Sequence, residues 1–512
     1  MEHNLSEIFP QITSLEYDSR NVKPGSLFFA LPGLHTDGSL YIEDAISKGA
    51  KAIVHQNDDL SSLETQYGDV AFIKVKDARF SMSPISASFY NNPSHELLVT
   101  GVTGTEGKST TVYLIWQLLT MLGKKAGFFS TVQYCTGGEV IWNSEHQTTP
   151  EAPVVQRFLR QTADNGCEYA IVEASSHGLS PKTNRLGDVN FCSAVLTNIT
   201  HEHLEFHGTF EQYREDKANL FRALDRYVPS LNADGITLNF IGSFGVINSD
   251  DRNARFFAKT TGQKIFMYSA TGRDGDIIVE AIESSATGNW YIVHIPAIKE
   301  RIELRDKLPG AFNSGNVLAA ILVVSNLLQR PIRDIAPLVK KLKPVRGRMT
   351  SINKGQPFEV IVDYAHTPSS FKVVFSTLRE RLDKTGGKLI SLFGSAGERD
   401  IIKRYQQGKI AANYSDIIVL TDEDPRGEDS QSILEEIARG ARDAENKNGF
   451  VQDKNLFLIP DRPCAIRKAL SLAKTGDIVI FLGKGHENSI IYKDHVMPFD
   501  EIAEVERALS EK

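Results

Sequence analysis

Gly101-Val102-Thr103-Gly104-Thr105-Glu106-Gly107-Lys108-Ser109-Thr110 sets three glycines ahead of a lysine and two hydroxyls, a pattern suited to holding phosphate. Glycines let backbone N–H groups turn toward anionic oxygens, a following helix adds its positive end, and the lysine offsets β/γ charge. Gly104, Thr105, Gly107, Lys108, Ser109 and Thr110 are therefore nucleotide-binding candidates, with the Ser109 hydroxyl a ligand for Mg2+. The strict phosphate-loop spacing fails at Val102, which takes the first glycine position, although Gly101 still covers the turn.

Two later segments supply carboxylate and imidazole. Tyr169-Ala170-Ile171-Val172 runs into Glu173-Ala174-Ser175-Ser176-His177, and Ser193-Ala194-Val195-Leu196 runs into Thr197-Asn198-Ile199-Thr200-His201-Glu202-His203. Glu173 and His203, at neighbouring strand ends, could hold a divalent ion that bridges phosphates. Taken singly, His201, His203 and His207 read equally well as capping or surface histidines. Lys217 lies on a helix whose apolar face ends at Leu220 and Phe221. Such lysines are usually solvated, so the residues alone give it no role.

Those side chains need strands and helices to carry them, and the chain alternates the two. From Leu97 the pattern is apolar strand, glycine-rich turn, then a helix that Gly123 ends. Gly245-Val246-Ile247 adds another buried strand, and residues 276–304 alternate as a small antiparallel patch. A second series begins near Arg346, with strands Glu359–Val362, Leu389–Phe393, Ile417–Leu420 and Ile478–Phe481. Alternation of this kind predicts α/β architecture with mostly parallel sheets, whose ligands sit beyond the carboxyl ends of the strands. Tyr90-Asn91-Asn92-Pro93-Ser94 reads as a linker. Three domains are expected: a small α/β domain over 1–96, a central phosphate-loop domain over 97–345, and a Rossmann-like domain over 346–512.

The whole chain has 512 residues and a net charge of −7, which argues against a broad nucleic-acid surface. Four scattered cysteines have no disulfide or zinc spacing and suggest reduced core thiols. The start lacks a leader pattern and no long apolar run occurs, so a cytoplasmic protein without membrane insertion is expected.

Together these residues resemble the Mur ligases, and within that family the branch that adds the third peptide residue of bacterial peptidoglycan. Asp18-Ser19-Arg20, Pro24-Gly25, Leu27-Phe28 and Asp37-Gly38 look like the family's UDP-binding N-terminal domain, with Ser19 a contact. Thr148-Thr149-Pro150, Ser175-Ser176-His177 and Arg185 look like its muramoyl-dipeptide contacts. Asn313 and Asn316 resemble its adenine-side asparagines. Gly347-Arg348-Met349 and Asp363-Tyr364-Ala365-His366-Thr367-Pro368 resemble its other ATP contacts, through Arg348, Asp363 and His366. By the same resemblance Lys217 is carbamylated and helps hold a second Mg2+, joining Lys108, Glu173 and His203 as catalytic residues. The metal set is then Ser109, Glu173, His203 and Lys217. Glu106, Glu202 and Thr350 depart from the family's usual Asn, Asp and Glu, and the stretch between His177 and Arg185 is longer than usual.

The resemblance implies ATP-dependent ligation of a diamino acid to a UDP-N-acetylmuramoyl dipeptide through an acyl phosphate; a monomer is expected. Glu423-Asp424-Pro425-Arg426, Gly483-Lys484-Gly485-His486-Glu487 and Arg399 fall where that family selects its amino acid, so Arg399, Asp424, Arg426, Gly483 and Glu487 are the binding candidates. Arg426 suits a carboxylate and Glu487 a distal ammonium. Asp424 replaces the Asn of diaminopimelate-adding members and would repel a distal carboxylate, so lysine, ornithine and meso-diaminopimelate all stay open. A folylpolyglutamate-type ligase and a non-catalytic sensor of cell-wall precursors are the rival readings.

Overall fold

The computed structural model describes residues 5–33, 37–57, 59–143, 147–200, 204–231, 238, 242–285, 287–444 and 449–511. The chain forms two compact units, one of residues 1–199, 206–268 and 319–330, the other of 200–205, 269–318 and 331–512.

In the first unit, β1 (Ser14–Glu16), β2 (Ser26–Phe29), β3 (Ala52–His55) and β4 (Ala71–Lys74) make a parallel sheet in that order. A larger sheet holds β5 (Leu98–Thr103), β6 (Ala126–Phe129), β7 (Gln133–Cys135), β8 (Ile141–Trp142), β9 (Tyr169–Glu173), β10 (Phe191–Leu196), β11 (Phe244–Asn248) and β12 (Lys264–Ser269). Its order is β12-β11-β10-β5-β9-β6-β7-β8, parallel from β12 to β6 and antiparallel beyond. Strands β5, β9 and β10 are buried along their whole length, which is why they read as continuous apolar runs. The carboxyl ends of β5, β6, β9 and β10 deliver residues 104–108, 130–131, 173–177 and 197–198.

One glycine decides how a helix reaches that edge. A Cβ at Gly101 in β5 would lie 2.4 Å from Leu220 Cδ1 and 2.9 Å from the Phe191 ring. The bare backbone lets the helix Phe210–Ala223, capped by Thr209, lie directly on β5. Gly101→Ala is expected to overpack this contact and cost about 1–3 kcal/mol. An unchanged urea midpoint in that variant would show that the helix can shift freely.

In the second unit, β13 (Ile277–Ser285), β14 (Gly288–Ile295) and β15 (Glu300–Arg305) form the expected antiparallel patch. The second sheet comprises β16 (Thr350–Ser351), β17 (Glu359–Asp363), β18 (Leu389–Phe393), β19 (Ile417–Leu420), β20 (Leu456–Leu458) and β21 (Ile478–Leu482), ordered β16-β17-β21-β18-β19-β20. All pairs but β16–β17 are parallel. The order reverses around β21, and such switch points open a crevice at the strand ends.

A buried ion pair holds two of those ends. The Arg462 guanidinium meets both oxygens of Glu501 at 2.8 and 3.0 Å, and donates to Asp422 O and Leu482 O at 2.8 Å each. Burial raises the Glu501 pKa, and Arg462 offsets part of that rise. Arg462→Met should cost about 3–5 kcal/mol, because Glu501 is left buried and unpaired, whereas Arg462→Met with Glu501→Leu should recover most of it. Equal urea midpoints for the single and double variants would contradict this.

The linker segment 90–94 is held by specific contacts. Asn91 and Asn92 adopt left-handed backbone (φ +58° and +48°), Pro93 and Ser94 are buried, and Asn190 N donates to Ser94 Oγ at 3.1 Å. Among the described residues no single helix is long and apolar enough to cross a membrane.

Candidate active site

The phosphate loop leaves β5 at Thr103 and enters the helix Lys108–Met121 through Gly107, whose left-handed backbone (φ +81°) takes the N-cap position. No side chain caps that helix, an end suited to an anion. Gly104 (φ +152°) permits a close approach, since a Cβ there would come within 1.9 Å of Thr197 Oγ1. Loop and neighbouring strand end therefore interlock. Thr105 N donates to Asn198 O at 2.8 Å, Glu106 N to Asn198 Oδ1 at 2.9 Å, and Thr197 Oγ1 to Glu106 O at 2.6 Å. The bracing role of Thr197 and Asn198 went unread in the sequence; their position just after a buried strand was the available signal. Lys108 Nζ donates to Thr105 O at 2.8 Å, and Thr110 is half-buried on the helix.

Glu173 ends β9 with its side chain buried. Its Oε2 accepts from Ser109 Oγ at 2.9 Å and from Thr131 N at 2.8 Å. A carboxylate and a hydroxyl side by side at a phosphate loop match the oxygen donors that Mg2+ takes. His203, with His201 and Glu202, lies outside the described residues. Among the described residues no group of three or more His, Cys, Asp or Glu gathers as a metal cluster.

Lys217 is not the solvated lysine that its sequence position suggests. It is 2% exposed, because the close packing at Gly101 brings its helix onto the sheet. Its Nζ donates to Gly104 O at 2.7 Å and stands 4.7 Å from the Tyr213 ring centre; the Tyr213 hydroxyl lies 3.0 Å from Thr105 Oγ1. His207 is likewise no surface or capping residue. Its Nδ1 is 2.7 Å from Asp216 Oδ2 and its Nε2 is 3.0 Å from Ser176 Oγ. Burial alone would raise the Asp216 carboxyl, but hydrogen bonds from His207, Gln212 and Ser180 outweigh it and hold the pKa below the ordinary value.

Next to Glu173 stand three of the expected dipeptide contacts. Thr149 Oγ1 donates to Glu173 O and accepts from Ser175 N, both at 2.9 Å. Arg185 donates to Thr149 O at 2.7 Å and to Glu151 Oε1 at 2.8 Å, and Arg79 also reaches Glu151. Thr148 precedes this group, half-buried. Ser19 belongs to a different neighbourhood, the 3-10 turn Ser19–Asn21 after β1, where its carbonyl accepts from Lys48.

The second unit gathers another set at the ends of β17, β19 and β21. Asp363 accepts from Met349 N and Ala365 N at 2.7 Å each, and burial raises its pKa while Arg348 and those amides partly offset the rise. The Arg348 guanidinium covers the Tyr364 ring at 4.5 Å, and the rings of His366 and His486 lie 4.7 and 4.6 Å from the same tyrosine. Desolvation, with the cations of Arg348 and Lys484, takes the His486 imidazole well below its usual pKa. Gly347 must be glycine here, since a Cβ would meet His486 N at 2.5 Å.

Asp424 does not present the free negative charge expected of it. Buried Lys484 donates to Asp424 Oδ1 at 2.9 Å and pairs with Glu487 at 2.5 Å. Burial works against the Lys484 ammonium, but Glu487 and Asp424 outweigh it and raise its pKa. Tyr364 OH donates to Glu487 at 3.1 Å, and the Glu423 carboxylate lies over Gly483. Glu423 Oε2, Arg426 Nε and His486 Nδ1 are buried without a hydrogen-bond partner among the described residues. Arg426 is held in left-handed backbone (φ +55°) by a bond from its N to Ile491 O. Arg399 is exposed on the loop after β18. Asn313 and Asn316 are buried at the start of the helix Asn313–Leu328, with Asn316 Nδ2 donating to Asn313 Oδ1 at 2.9 Å.

Three family profiles match the chain: Mur ligase family, catalytic domain, over residues 11–90; Mur ligase middle domain over 102–324; and Mur ligase, glutamate ligase domain, over 347–485. The UDP-N-acetylmuramyl-tripeptide synthetase of Treponema denticola is 50% identical over 511 residues, 96% of this chain and 92% of that one. The UDP-N-acetylmuramoyl-L-alanyl-D-glutamate--2,6-diaminopimelate ligase of Clostridium tetani is 35% identical over 515 residues, covering 100% of this chain and 98% of the other. A solved UDP-N-acetylmuramoyl-L-alanyl-D-glutamate--2,6-diaminopimelate ligase superposes with TM-score 0.62 at 26% identity, over 100% and 99% of the two chains. An ADP complex of a MurF ligase from Thermotoga maritima shares the fold, with TM-score 0.62 at 19% identity over 98% and 99%.

Proposed function

The chain belongs to the Mur ligase family, and on that premise we propose that it uses ATP to join a diamino acid to UDP-N-acetylmuramoyl-L-alanyl-D-glutamate. We place its domains at 1–96, 97–345 and 346–512, and its work as a monomer in the cytoplasm, where ATP and nucleotide-linked precursors are made. One observation carries the reading: Lys108, Ser109, Glu173 and Lys217 all converge on the phosphate loop at one sheet edge.

A carboxylate does not react with an amine at neutral pH, because oxide would have to leave. Here an oxygen of the D-Glu carboxylate attacks the γ-phosphorus of ATP, ADP departs, and an acyl phosphate results. The amine of the incoming amino acid then adds to the acyl carbon, loses a proton, and expels inorganic phosphate. Catalysis of this kind is mostly positioning plus charge stabilisation. Lys108 and the helix end behind Gly107 receive the phosphates. Thr149, Ser175 and Arg185 orient the dipeptide beside Glu173. Arg348, Asp363, His366, Asn313 and Asn316 are assigned to ATP and Ser19 to the UDP end, by family likeness.

Ser109 and Glu173 supply oxygen ligands suited to Mg2+, with His203 and a carbamylated Lys217 as further ligands. Bound there, Mg2+ would offset charge on the transferring oxygens. Carbamylation requires a neutral amine to capture CO2 and turns a cation into an anionic ligand. The mass of one added CO2 on the peptide holding Lys217 would mark it.

For the amino acid, Arg426 offers a cation to the α-carboxylate and Glu423 and Glu487 offer carboxylates to a distal ammonium. Buried polar atoms without protein partners are the groups a ligand completes. Because Lys484, shared between Asp424 and Glu487, offsets part of the Asp424 charge, Asp424 alone does not exclude a distal carboxylate. Phosphate release with ATP, the UDP-dipeptide and each of L-lysine, L-ornithine and meso-diaminopimelate is the test. One of them should raise turnover by about 100-fold or more over the others. Release that needs neither dipeptide nor amino acid would refute the ligase reading.

A further inference from the structure

The helix Phe210–Ala223 reaches two places at once. Tyr213 and Lys217 touch the phosphate loop, while Asp216 reaches through His207 to Ser176. Ser176 opens the short turn Ser176–Leu179, which Ser175 caps by accepting from Gly178 N at 3.1 Å. Ser175 N in turn meets Thr149, so this turn carries the residues assigned to the dipeptide. Asn219 Nδ2 adds a second tie from the helix, donating to Leu179 O at 3.0 Å.

Ser176, His207 and Asp216 form a directed chain of hydrogen bonds. Gln212 holds the other Asp216 oxygen at 2.9 Å. A carboxylate on Nδ1 orients the imidazole, so Nδ1–H donates to Asp216 and Nε2 meets the Ser176 hydroxyl. The order resembles the triad of a hydrolase, but burial rules that use out: Ser176 is 2% exposed and the His207 side chain 0%. A buried chain with every member satisfied serves instead to fix distance and orientation.

We propose that Ser176–His207–Asp216 is a positioning relay that locks the turn carrying Ser175 to the helix carrying Lys217, and so aligns the substrate carboxylate with the phosphate it attacks. The inference rests on the acyl-phosphate reading given above. In-line transfer loses rate steeply when reacting groups are displaced by about 1 Å. The relay ties the two elements through side chains alone, and beside the Asn219 bond to Leu179 O it can transmit such a displacement between them.

The test uses the full-length enzyme with Ser176→Ala, Asp216→Asn and the double variant, assayed by phosphate release. Each single variant should lower kcat/KM for the UDP-dipeptide by about 10- to 100-fold, with the KM for ATP moving less than about twofold. The double variant should be no worse than the poorer single, because both break one chain. Ser176→Thr, which keeps the hydroxyl, should restore most of the loss. Losses that multiply in the double variant, or equal changes in both KM values, would overturn the relay. If Asp216→Asn fails to fold, Ser176→Ala decides alone, and wild-type kcat/KM in it is fatal to the proposal. A wild-type enzyme inert toward the UDP-dipeptide overturns the substrate reading instead, and the relay with it.

Discussion

Lys217→Ala is expected to lower turnover by about 1,000-fold, the scale of losing a preorganised group at a developing charge. The side chain is buried against the phosphate loop and bonded to Gly104 O. Truncation removes both that bond and the proposed anionic ligand. The deletion leaves space at the same site, so a short carboxylate such as acetate or propionate should recover part of the rate. Binding of ATP should weaken far less than turnover falls, since the glycine backbone and Lys108 remain. Wild-type turnover without any added carboxylate would remove Lys217 from the mechanism.

Glu173→Gln is expected to lower turnover by about 100- to 1,000-fold and to shift the Mg2+ requirement to higher concentration. The carboxylate oxygen that meets Ser109 Oγ also accepts from Thr131 N. Because both bonds fall on one oxygen, the carbonyl oxygen of an amide of the same size can still accept them. Charge at the proposed cation position is lost, while the volume of the buried side chain is kept. A Mg2+ titration of activity separates the two consequences. An unchanged Mg2+ requirement together with lost activity would mean that Glu173 only braces Ser109 and the loop after β6.

Much of this site is local in the chain. The phosphate loop spans a strand exit, a turn and a helix entry within a few residues, so glycine spacing and the lysine–hydroxyl pair declare it without tertiary information. Strands β5, β9 and β10 were readable because a buried parallel strand is apolar throughout. Strands β6, β12 and β20 are not legible in the sequence: β6 and β20 are short, and β12 is at least half-exposed over its first four residues, so its pattern does not stand out from a loop.

The polar interior was largely illegible. Asp424 looked like an unpaired acid because its counter-ion, Lys484, is 60 residues away. His207 and Asp216 are close in sequence, yet their third partner, Ser176, is 31 residues from His207. Hydropathy pattern tells which face of an element is buried, but it carries no information about which distant polar group will be met there.

From its sequence alone this protein was determined to be an α/β chain with a phosphate loop, loaded strand ends and the spaced residues of a Mur ligase. Those features depend on short-range backbone requirements and on the apolar runs that sheets demand. Only the tertiary structure decided that Lys217 is buried on the loop, 113 residues from its partner Gly104. The reason is steric: Leu220 can lie on β5 only where Gly101 has no side chain, and that contact sets where the lysine ends.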